Sequence, residues 1–124
     1  MGCGRKNAEK IENISANNVF INKVGTYYYR DYIIRIKQFK DGSLIYGVFG
    51  GVRNECLYQQ NLEQTFSNYS KWTFYIDDKD KIWFYNSDRN ETSVIYNNGK
   101  EIIFENHKNK LPSIPEELVG FIKS

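Results

Sequence analysis

Apolar and polar residues alternate in the first half of the chain, as they do in half-buried strands. In the stretch "YIIRIKQF", Tyr32, Ile34 and Ile36 share one face, and charged residues take much of the other. The tetrapeptide Lys40–Ser43 ("KDGS") follows and leads into the apolar run "LIYGVFGGV". Because Asp and Gly both tolerate positive φ, this turn between two apolar runs predicts a β-hairpin.

Turn residues later in the chain indicate two further hairpins. An acidic turn, Asp77–Asp80, separates the strand-like stretches "KWTFYI" and "KIWFYN". The pair Asn98-Gly99 matches the residue preference of a type I′ turn. The three hairpins together predict a mainly β fold, an antiparallel meander of about six or seven strands that forms an open barrel or a sandwich.

Residues 53–71 break the alternation. Tyr58, Leu62, Phe66 and Tyr69 recur there at helical spacing, with polar residues between them. This spacing predicts a short internal helix, and a long irregular loop is the alternative.

The end of the chain, "LPSIPEELVGFIKS", predicts a C-terminal helix. Ser113 and Glu116 have the spacing of a capping box, and Pro115 suits a first turn in which no backbone donor is needed. The predicted helix is amphipathic, with an apolar face formed by Ile114, Leu118, Phe121 and Ile122. We expect this face to cover an open side or end of the sheet.

The first 18 residues are polar, and Ile11 and Ile14 are their only large apolar side chains. Such a segment buries little surface, so we expect residues 1–18 to form a flexible N-terminal tether. Ordered structure is then expected from near Val19, with residues 19–124 as a single globular β-rich domain. A chain of 124 residues has no room for a second core.

Composition supports a folded β-rich protein and gives little indication of a partner. Aromatic residues make up 16% of the chain, which favours strands. The net charge is +2, but residues 1–40 carry eight Lys or Arg against three Asp or Glu. This basic excess at the start is compatible with an anionic membrane surface and equally with ordinary solvated charge. No run of about 18 apolar residues is present to span a bilayer.

The opening "MGCGRK" contains one short motif. Gly2-Cys3-Gly4 resembles the remnant of a bacterial lipobox, in which a small residue precedes a cysteine that is acylated with diacylglycerol. The resemblance implies a lipid on Cys3 and a place on the periplasmic face of a bacterial membrane. "MGC" also resembles the start of eukaryotic dual-acylated proteins, but that pattern has Ser or Thr where this chain has Lys6. A cytoplasmic protein is the alternative.

The other candidate chemistry is sparse. A disulfide between Cys3 and Cys56 would close a long loop, whereas a small buried hydrophobe is the favoured interpretation of Cys56. The lone His107 leaves no His/Cys set for zinc, and Asp77–Asp80 lacks the alternating ligands of an EF-type calcium loop. No catalytic motif occurs. We therefore expect no metal, no cofactor and no catalytic residue.

Binding to another protein is the function we expect first. Small aromatic-rich domains on lipid tethers resemble immunity and inhibitor proteins, which neutralise a toxin or an enzyme by covering its active site. Tyr and Trp are good interface anchors. Tyr75, Trp83 and Tyr85 are the candidates, because they lie on the faces opposite the predicted core residues of the two strands that flank Asp77–Asp80, which are Trp72, Phe74, Ile76, Ile82 and Phe84. The same three residues could instead form the core of a second sheet.

Two other functions stay open. A small ligand-binding barrel or enzyme would carry Asp, Glu and Tyr side chains in a pocket. A nucleic-acid-binding β module would use Tyr27–Tyr32, with Arg35 and Lys37 nearby, because single-strand binders interleave aromatic and basic residues. A net charge of +2 argues against nucleic acid.

Overall fold

A computed structural model describes residues 11–50, 55–106 and 113–124. Strands dominate this part of the chain. In chain order they are β1 (Ile11–Asn13), β2 (Val19–Ile21), β3 (Gly25–Tyr29), β4 (Tyr32–Gln38), β5 (Ser43–Gly50), β6 (Glu55–Gln59), β7 (Phe66–Ser67), β8 (Trp72–Ile76), β9 (Ile82–Asn86), β10 (Glu91–Asn97) and β11 (Ile102–Asn106). A 3-10 helix covers Leu62–Gln64, and one α-helix, α1, covers Glu116–Lys123.

The strands form two sheets. The first sheet has the order β1-β3-β4-β5-β6, and β7 also pairs with β5. The second sheet has the order β11-β10-β9-β8-β2. All pairs are antiparallel except β1 with β3, which is parallel. The mainly β, mostly antiparallel fold with a C-terminal helix is therefore confirmed, with more strands than predicted.

One apolar core lies between the two sheets. The predicted inward face of β4 is confirmed, because Tyr32, Ile34 and Ile36 are all buried there. Burial of this kind is the main favourable contribution to folding, at roughly 25 cal/mol per Å² of apolar surface. From the first sheet the core takes Tyr27, Tyr29, Tyr32, Ile34, Ile36, Leu44, Tyr46, Val48 and Phe66, and from the second Ile21, Trp72, Phe74, Ile76, Ile82, Phe84 and Ile95.

The three predicted hairpins all form, as β4–β5, β8–β9 and β10–β11. The turn at Asn98-Gly99 differs from the predicted type I′, because Gly99 (φ +97°) has positive φ and Asn98 does not. In the turn at Lys40–Ser43, likewise, Gly42 (φ +92°) has positive φ and Asp41 does not. The backbone N–H of Gly42 donates to the Phe39 carbonyl, so the chain makes its turn one residue earlier and Gly42 completes it. An additional hairpin joins β3 to β4 through Arg30 and Asp31 alone.

The predicted internal helix is wrong. Where 53–71 is described, the chain forms β6, the 3-10 helix and β7. Leu62 and Tyr69, two of the four residues at helical spacing, are 73% and 93% exposed. Because their burial contributes nothing, the spacing does not select a helix, and the strand pairs with β5 determine the local structure.

The first strand of the sheet begins earlier in the chain than the sequence predicted. β1 pairs with β3, and the Ile14 backbone N–H donates to the Tyr28 carbonyl at 2.8 Å. The sheet therefore includes residues from Ile11, and the expected boundary near Val19 is too late. Residues 1–10 lie outside the described residues. Strands as short as β1, β2 and β7 carry no alternation, which explains why the predicted six or seven strands are too few.

The C-terminal helix is confirmed and covers the outer face of the second sheet. Leu118 is fully buried, and Ile114 is 6% exposed. The helix begins at Glu116 after Pro115, and no side chain caps this first residue by a hydrogen bond. The predicted capping box, with Ser113 as the N-cap residue, is therefore wrong, because the N-cap position is taken by Pro115.

Candidate functional site

The predicted aromatic anchors lie beneath α1. Tyr75, Trp83 and Tyr85 are 1%, 4% and 7% exposed and pack in a second apolar cluster with Leu118. The indole Nε1 of Trp83 donates to Asp77 Oδ2 at 2.9 Å. The three side chains thus form a core in this structure, which is the alternative that the sequence left open, and the exposed surfaces lie elsewhere.

The structure describes only one of the two cysteines, Cys56. Cys3, the predicted lipidation site, lies outside the described residues, as does His107. Cys56 lies on β6 and is exposed, so the expectation of a small buried hydrophobe is wrong. Its strand position explains the exposure, because Cys56 pairs with Phe49 on the outer face of the first sheet.

The first concave surface lies on that outer face. We call it the basic groove. It has a volume of about 420 Å³ and is lined by Arg35, Lys37, Phe39, Ile45, Tyr46, Phe49 and Gln59. The register of β4, β5 and β6 brings these residues together, because Arg35 pairs with Gly47 and Gly47 pairs with Gln59. On β4, Arg35 and Lys37 alternate with the inward-facing Ile34 and Ile36, so they lie on the outer face and line this groove.

Gly47 shapes the floor of the basic groove. A Cβ atom at this position would lie 2.4 Å from Gln59 Oε1 and 3.0 Å from Phe49 Cε1. The Gln59 side chain occupies that space, and its Nε2 donates to the carbonyls of Tyr46 and Gln60, both at 3.1 Å. A glycine in the middle of β5 therefore allows a polar amide to lie flat across the sheet.

The basic groove combines positive charge with aromatic surface. The Arg35 guanidinium lies 5.0 Å from the centre of the Phe49 ring, a cation–π contact. Lys37 is exposed, and Phe39 is 40% exposed. No carboxylate is present among the described residues that line the groove. The groove thus has the charge and the apolar surface to accept an acidic, partly apolar partner.

A second concave surface, which we call the end cleft, lies between the sheets at one end of the sandwich. Its volume is about 530 Å³. It is lined by Arg30, Asp31, Tyr32, Gly50, Glu55, Leu57, Lys79, Asp80, Lys81, Tyr96, Asn97 and Ile102. The cleft contains both acids and tyrosines, as the ligand-binding alternative requires, but lysines accompany them.

A polar network ties the two sheets together beside the end cleft. The Tyr29 hydroxyl donates to Asp80 Oδ1, and Arg30 Nε donates to the same hydroxyl oxygen at 3.0 Å. Arg30 Nε also lies 3.4 Å from Asp80 Oδ1. Burial raises the pKa of Tyr29, and the hydrogen bond to Asp80 raises it further while Arg30 opposes the shift. The phenol therefore stays protonated and remains a donor to Asp80 at neutral pH.

Tyr32 forms part of the wall of the end cleft. Burial raises its pKa, and the nearby carboxylates of Asp31 and Asp80 act in the same direction. The backbone N–H of Asn97 opposes the shift through a hydrogen bond to the phenol oxygen. Tyr32 is thus a neutral phenol whose oxygen accepts a hydrogen bond from the second sheet.

The described residues offer no metal site and no membrane span. Nowhere in residues 11–50, 55–106 and 113–124 do three or more His, Cys, Asp or Glu side chains group closely enough to hold an ion. No helix in the same ranges is long and apolar enough to cross a membrane.

Models of protein families, curated proteins and solved structures were compared with the chain, and none of the three comparisons finds a match.

Sequence reasoning identified only part of these surfaces. Arg35 and Lys37 stand out in the sequence as basic residues beside aromatic ones, and they do line a groove. Tyr27, Tyr29 and Tyr32, noted with them, are buried on the opposite side of the sheet. Phe49 and Gln59 gave no signal, because only the register of β5 with its neighbours places them beside Arg35.

Proposed function

We propose that this chain is a small cell-envelope lipoprotein, anchored through Cys3, whose domain binds another protein through the basic groove. Its action would be that of an immunity or inhibitor protein, which covers the active site of a toxin or an enzyme. The observation that supports the binding surface best is the combination of exposed Lys37 and Phe39 with the Arg35–Phe49 contact in one groove.

The position of α1 supports the choice of surface. The helix covers the outer face of the second sheet with Leu118, so the aromatic side chains there are already packed. The basic groove lies on the other sheet, where Lys37 and Phe39 are exposed to solvent. The outer face of the first sheet therefore offers basic and aromatic groups to a partner, whereas much of the aromatic surface on the second sheet's outer face is packed under α1.

The chemistry of the groove indicates the kind of partner. Arg and aromatic side chains are enriched in protein interfaces and provide much of the binding energy, whereas lysines contribute mainly to steering. With positive charges and no carboxylate among its described lining residues, the groove complements an acidic surface that also carries an apolar side chain. Toxins and enzymes with acidic active sites present such a surface.

The lipid anchor has a direct test. The native gene is expressed in a bacterium, the membranes are extracted with detergent, and the intact protein is weighed. We expect the mass to exceed that of the polypeptide by an acyl modification, and Cys3→Ser to move the protein to the soluble fraction. An unmodified Cys3 in a soluble protein would contradict the anchor and leave the binding proposal standing.

The binding surface has a separate test. Tagged protein is used to capture partners from envelope extract of the cells that carry the gene, and the captured protein is identified, purified and titrated by calorimetry. We expect Lys37→Glu and Phe39→Ala each to weaken the affinity about tenfold, as is common for interface anchors. Both side chains are exposed, so neither change should unfold the domain.

Matched controls lie outside the groove. Lys123→Glu on α1 and Tyr69→Ala, whose side chain is 93% exposed, should leave the affinity unchanged. Equal affinities in groove and control variants would contradict the proposal. Salt-dependent binding of an oligonucleotide to the groove, lost in Lys37→Glu, would instead support the nucleic-acid alternative.

A further inference from the structure

The end cleft has two walls of opposite charge. Asp31 follows β3 and Glu55 begins β6, so both carboxylates belong to the first sheet. Lys79 and Lys81 lie in the β8–β9 turn, so both ammonium groups belong to the second sheet. A ligand between the sheets would therefore meet negative charge on one side and positive charge on the other.

The other two charged residues of the cleft, Arg30 and Asp80, already interact with each other. Asp80 accepts the hydroxyl of Tyr29 and pairs with Arg30. These groups join the β3–β4 turn to the β8–β9 turn across the cleft. Once Arg30 and Asp80 are paired, the charges that remain for a ligand are those of Asp31, Glu55, Lys79 and Lys81.

The turns that carry this network are strained. Arg30 and Asp80 both have positive φ, at 50° and 64°, although neither is a glycine. Each such residue costs on the order of 1 kcal/mol or more, and strain of this kind concentrates at binding sites. Each of the two residues completes a tight hairpin turn that requires positive φ, and their side chains pair with each other at the cleft.

Apolar side chains also line the space between the charged walls. Tyr32, Leu57 and Ile102 line it and belong to or pack against the core between the sheets, whereas Tyr96 lies at the rim, because it packs against the outer cluster of the second sheet. The Lys81 ammonium lies 4.4 Å from the centre of the Tyr96 ring, and this cation–π contact orients it at the rim of the cleft. An apolar interior with a few convergent charges is the usual composition of a small-ligand site, and about 530 Å³ is within the usual range of volumes.

We propose that the end cleft binds a small zwitterion with an apolar side chain, namely an α-amino acid or a short peptide with free termini. The ammonium group of the ligand faces Asp31 and Glu55, its carboxylate faces Lys79 and Lys81, and its side chain contacts the apolar lining. This site is separate from the basic groove, and the proposal does not depend on the function assigned to that groove.

Leucyl-leucine is a suitable probe, and amide chemical shifts in NMR are the readout. We expect titration with the dipeptide to shift resonances of cleft residues such as Glu55, Lys79 and Tyr96 selectively. N-acetyl-leucyl-leucine amide, which has the same side chains without charged termini, should cause no such shifts. Lys79→Gln and Glu55→Gln should each weaken binding of the free dipeptide about tenfold, the effect of losing one hydrogen bond to a charged group.

Control variants remove the same charges elsewhere. Lys123→Gln on α1 and Glu63→Gln in the 3-10 helix should leave the dissociation constant unchanged. The proposal is overturned if the free dipeptide causes no shifts up to about 10 mM, which is weaker than specific small-ligand binding requires. It is also overturned if the capped dipeptide binds equally well, or if only one of Lys79→Gln and Glu55→Gln has an effect.

Discussion

The Asp77 carboxylate organises the β8–β9 turn. Its Oδ1 accepts the backbone N–H groups of Lys79 and Lys81, both at 2.9 Å, and its Oδ2 accepts the indole N–H of Trp83. The residue is 7% exposed. A single carboxylate thereby satisfies two turn donors and the only polar atom of a buried tryptophan, which is the local side-chain-to-backbone bonding that Asp provides in turns.

At the residue scale we expect Asp77→Ala to lower the free energy of unfolding by about 2–4 kcal/mol. The change removes a charged acceptor that three donors share, namely two backbone N–H groups of the turn and the buried Trp83 indole. Urea denaturation monitored by tryptophan fluorescence measures the effect. Asp78→Ala is the matched control, because Asp78 is exposed, and an equal loss in both variants would contradict this role of Asp77.

The α1 helix is held on the second sheet at its apolar face and at its end. Leu118 is fully buried against the outer face of that sheet, and the Phe121 ring lies 5.6 Å from the Phe20 ring. At the helix end, Lys71 Nζ donates to the carbonyls of Phe121, at 3.2 Å, and of Ser124. A cation at the carbonyl end of a helix is stabilising, because it satisfies groups that the helix leaves unpaired.

At the element scale we expect Leu118→Ala to destabilise the protein by about 2–5 kcal/mol through the cavity that it leaves. Because Leu118 holds α1 on the second sheet, the amide hydrogens of α1 in the Leu118→Ala variant should exchange faster than those of β8 and β9. Hydrogen exchange read by mass spectrometry distinguishes local detachment from global unfolding. Val119→Ala, at a half-buried position, should have a smaller effect, and similar losses in the two variants would argue against a docking role specific to Leu118.

Tyrosine burial is a property of the molecule as a whole. Ten tyrosines occur in the chain, and burial raises the pKa of seven, namely Tyr27, Tyr29, Tyr32, Tyr46, Tyr58, Tyr75 and Tyr85. Tyr46 has the largest upward shift of its pKa, and its ring lies between Phe74 and Phe84 at ring-centre distances of 4.8 and 4.5 Å. Its hydroxyl bonds to the Ser93 side chain of the opposite sheet, which opposes the upward shift of its pKa only in part.

At the scale of the whole molecule we expect stability to fall steeply above pH 10. Below the ordinary tyrosine pKa both states are protonated, and the contribution is fully present. Above it the unfolded chain releases protons that the folded chain retains, so stability is lost as the pH rises toward the raised pKa of the folded state. The slope is about 1.4 kcal/mol per pH unit for Tyr46 alone.

Chemical denaturation between pH 8 and pH 11, a window of about three units around the ordinary tyrosine pKa, measures this slope. Tyr46→Phe should reduce it by the contribution of one tyrosine, and Tyr69→Phe should leave it unchanged because that ring is exposed. An unaltered slope in Tyr46→Phe would show that the folded and unfolded states ionise this phenol alike.

Local signals predicted the elements that the chain forms with its near neighbours in sequence. The three hairpins at Lys40–Ser43, Asp77–Asp80 and Asn98-Gly99 required only turn residues and flanking apolar runs. The β3–β4 hairpin was not predicted, because its turn residue with positive φ is Arg30 and not a glycine or asparagine. The basic groove and the end cleft were not predicted either, because each combines residues from strands that are far apart in the sequence.

The sequence by itself determined the mainly β class, the alternating face of β4 and the amphipathic C-terminal helix, because each depends on a period or a turn within a few residues. Tertiary structure alone decided the rest. It assigned the strands to two sheets, placed α1 over Trp83 and its neighbours, and gathered Arg35, Phe49 and Gln59 into one groove. Sheet register and layer order arise from contacts between segments far apart in the chain, where side-chain packing outweighs local preference.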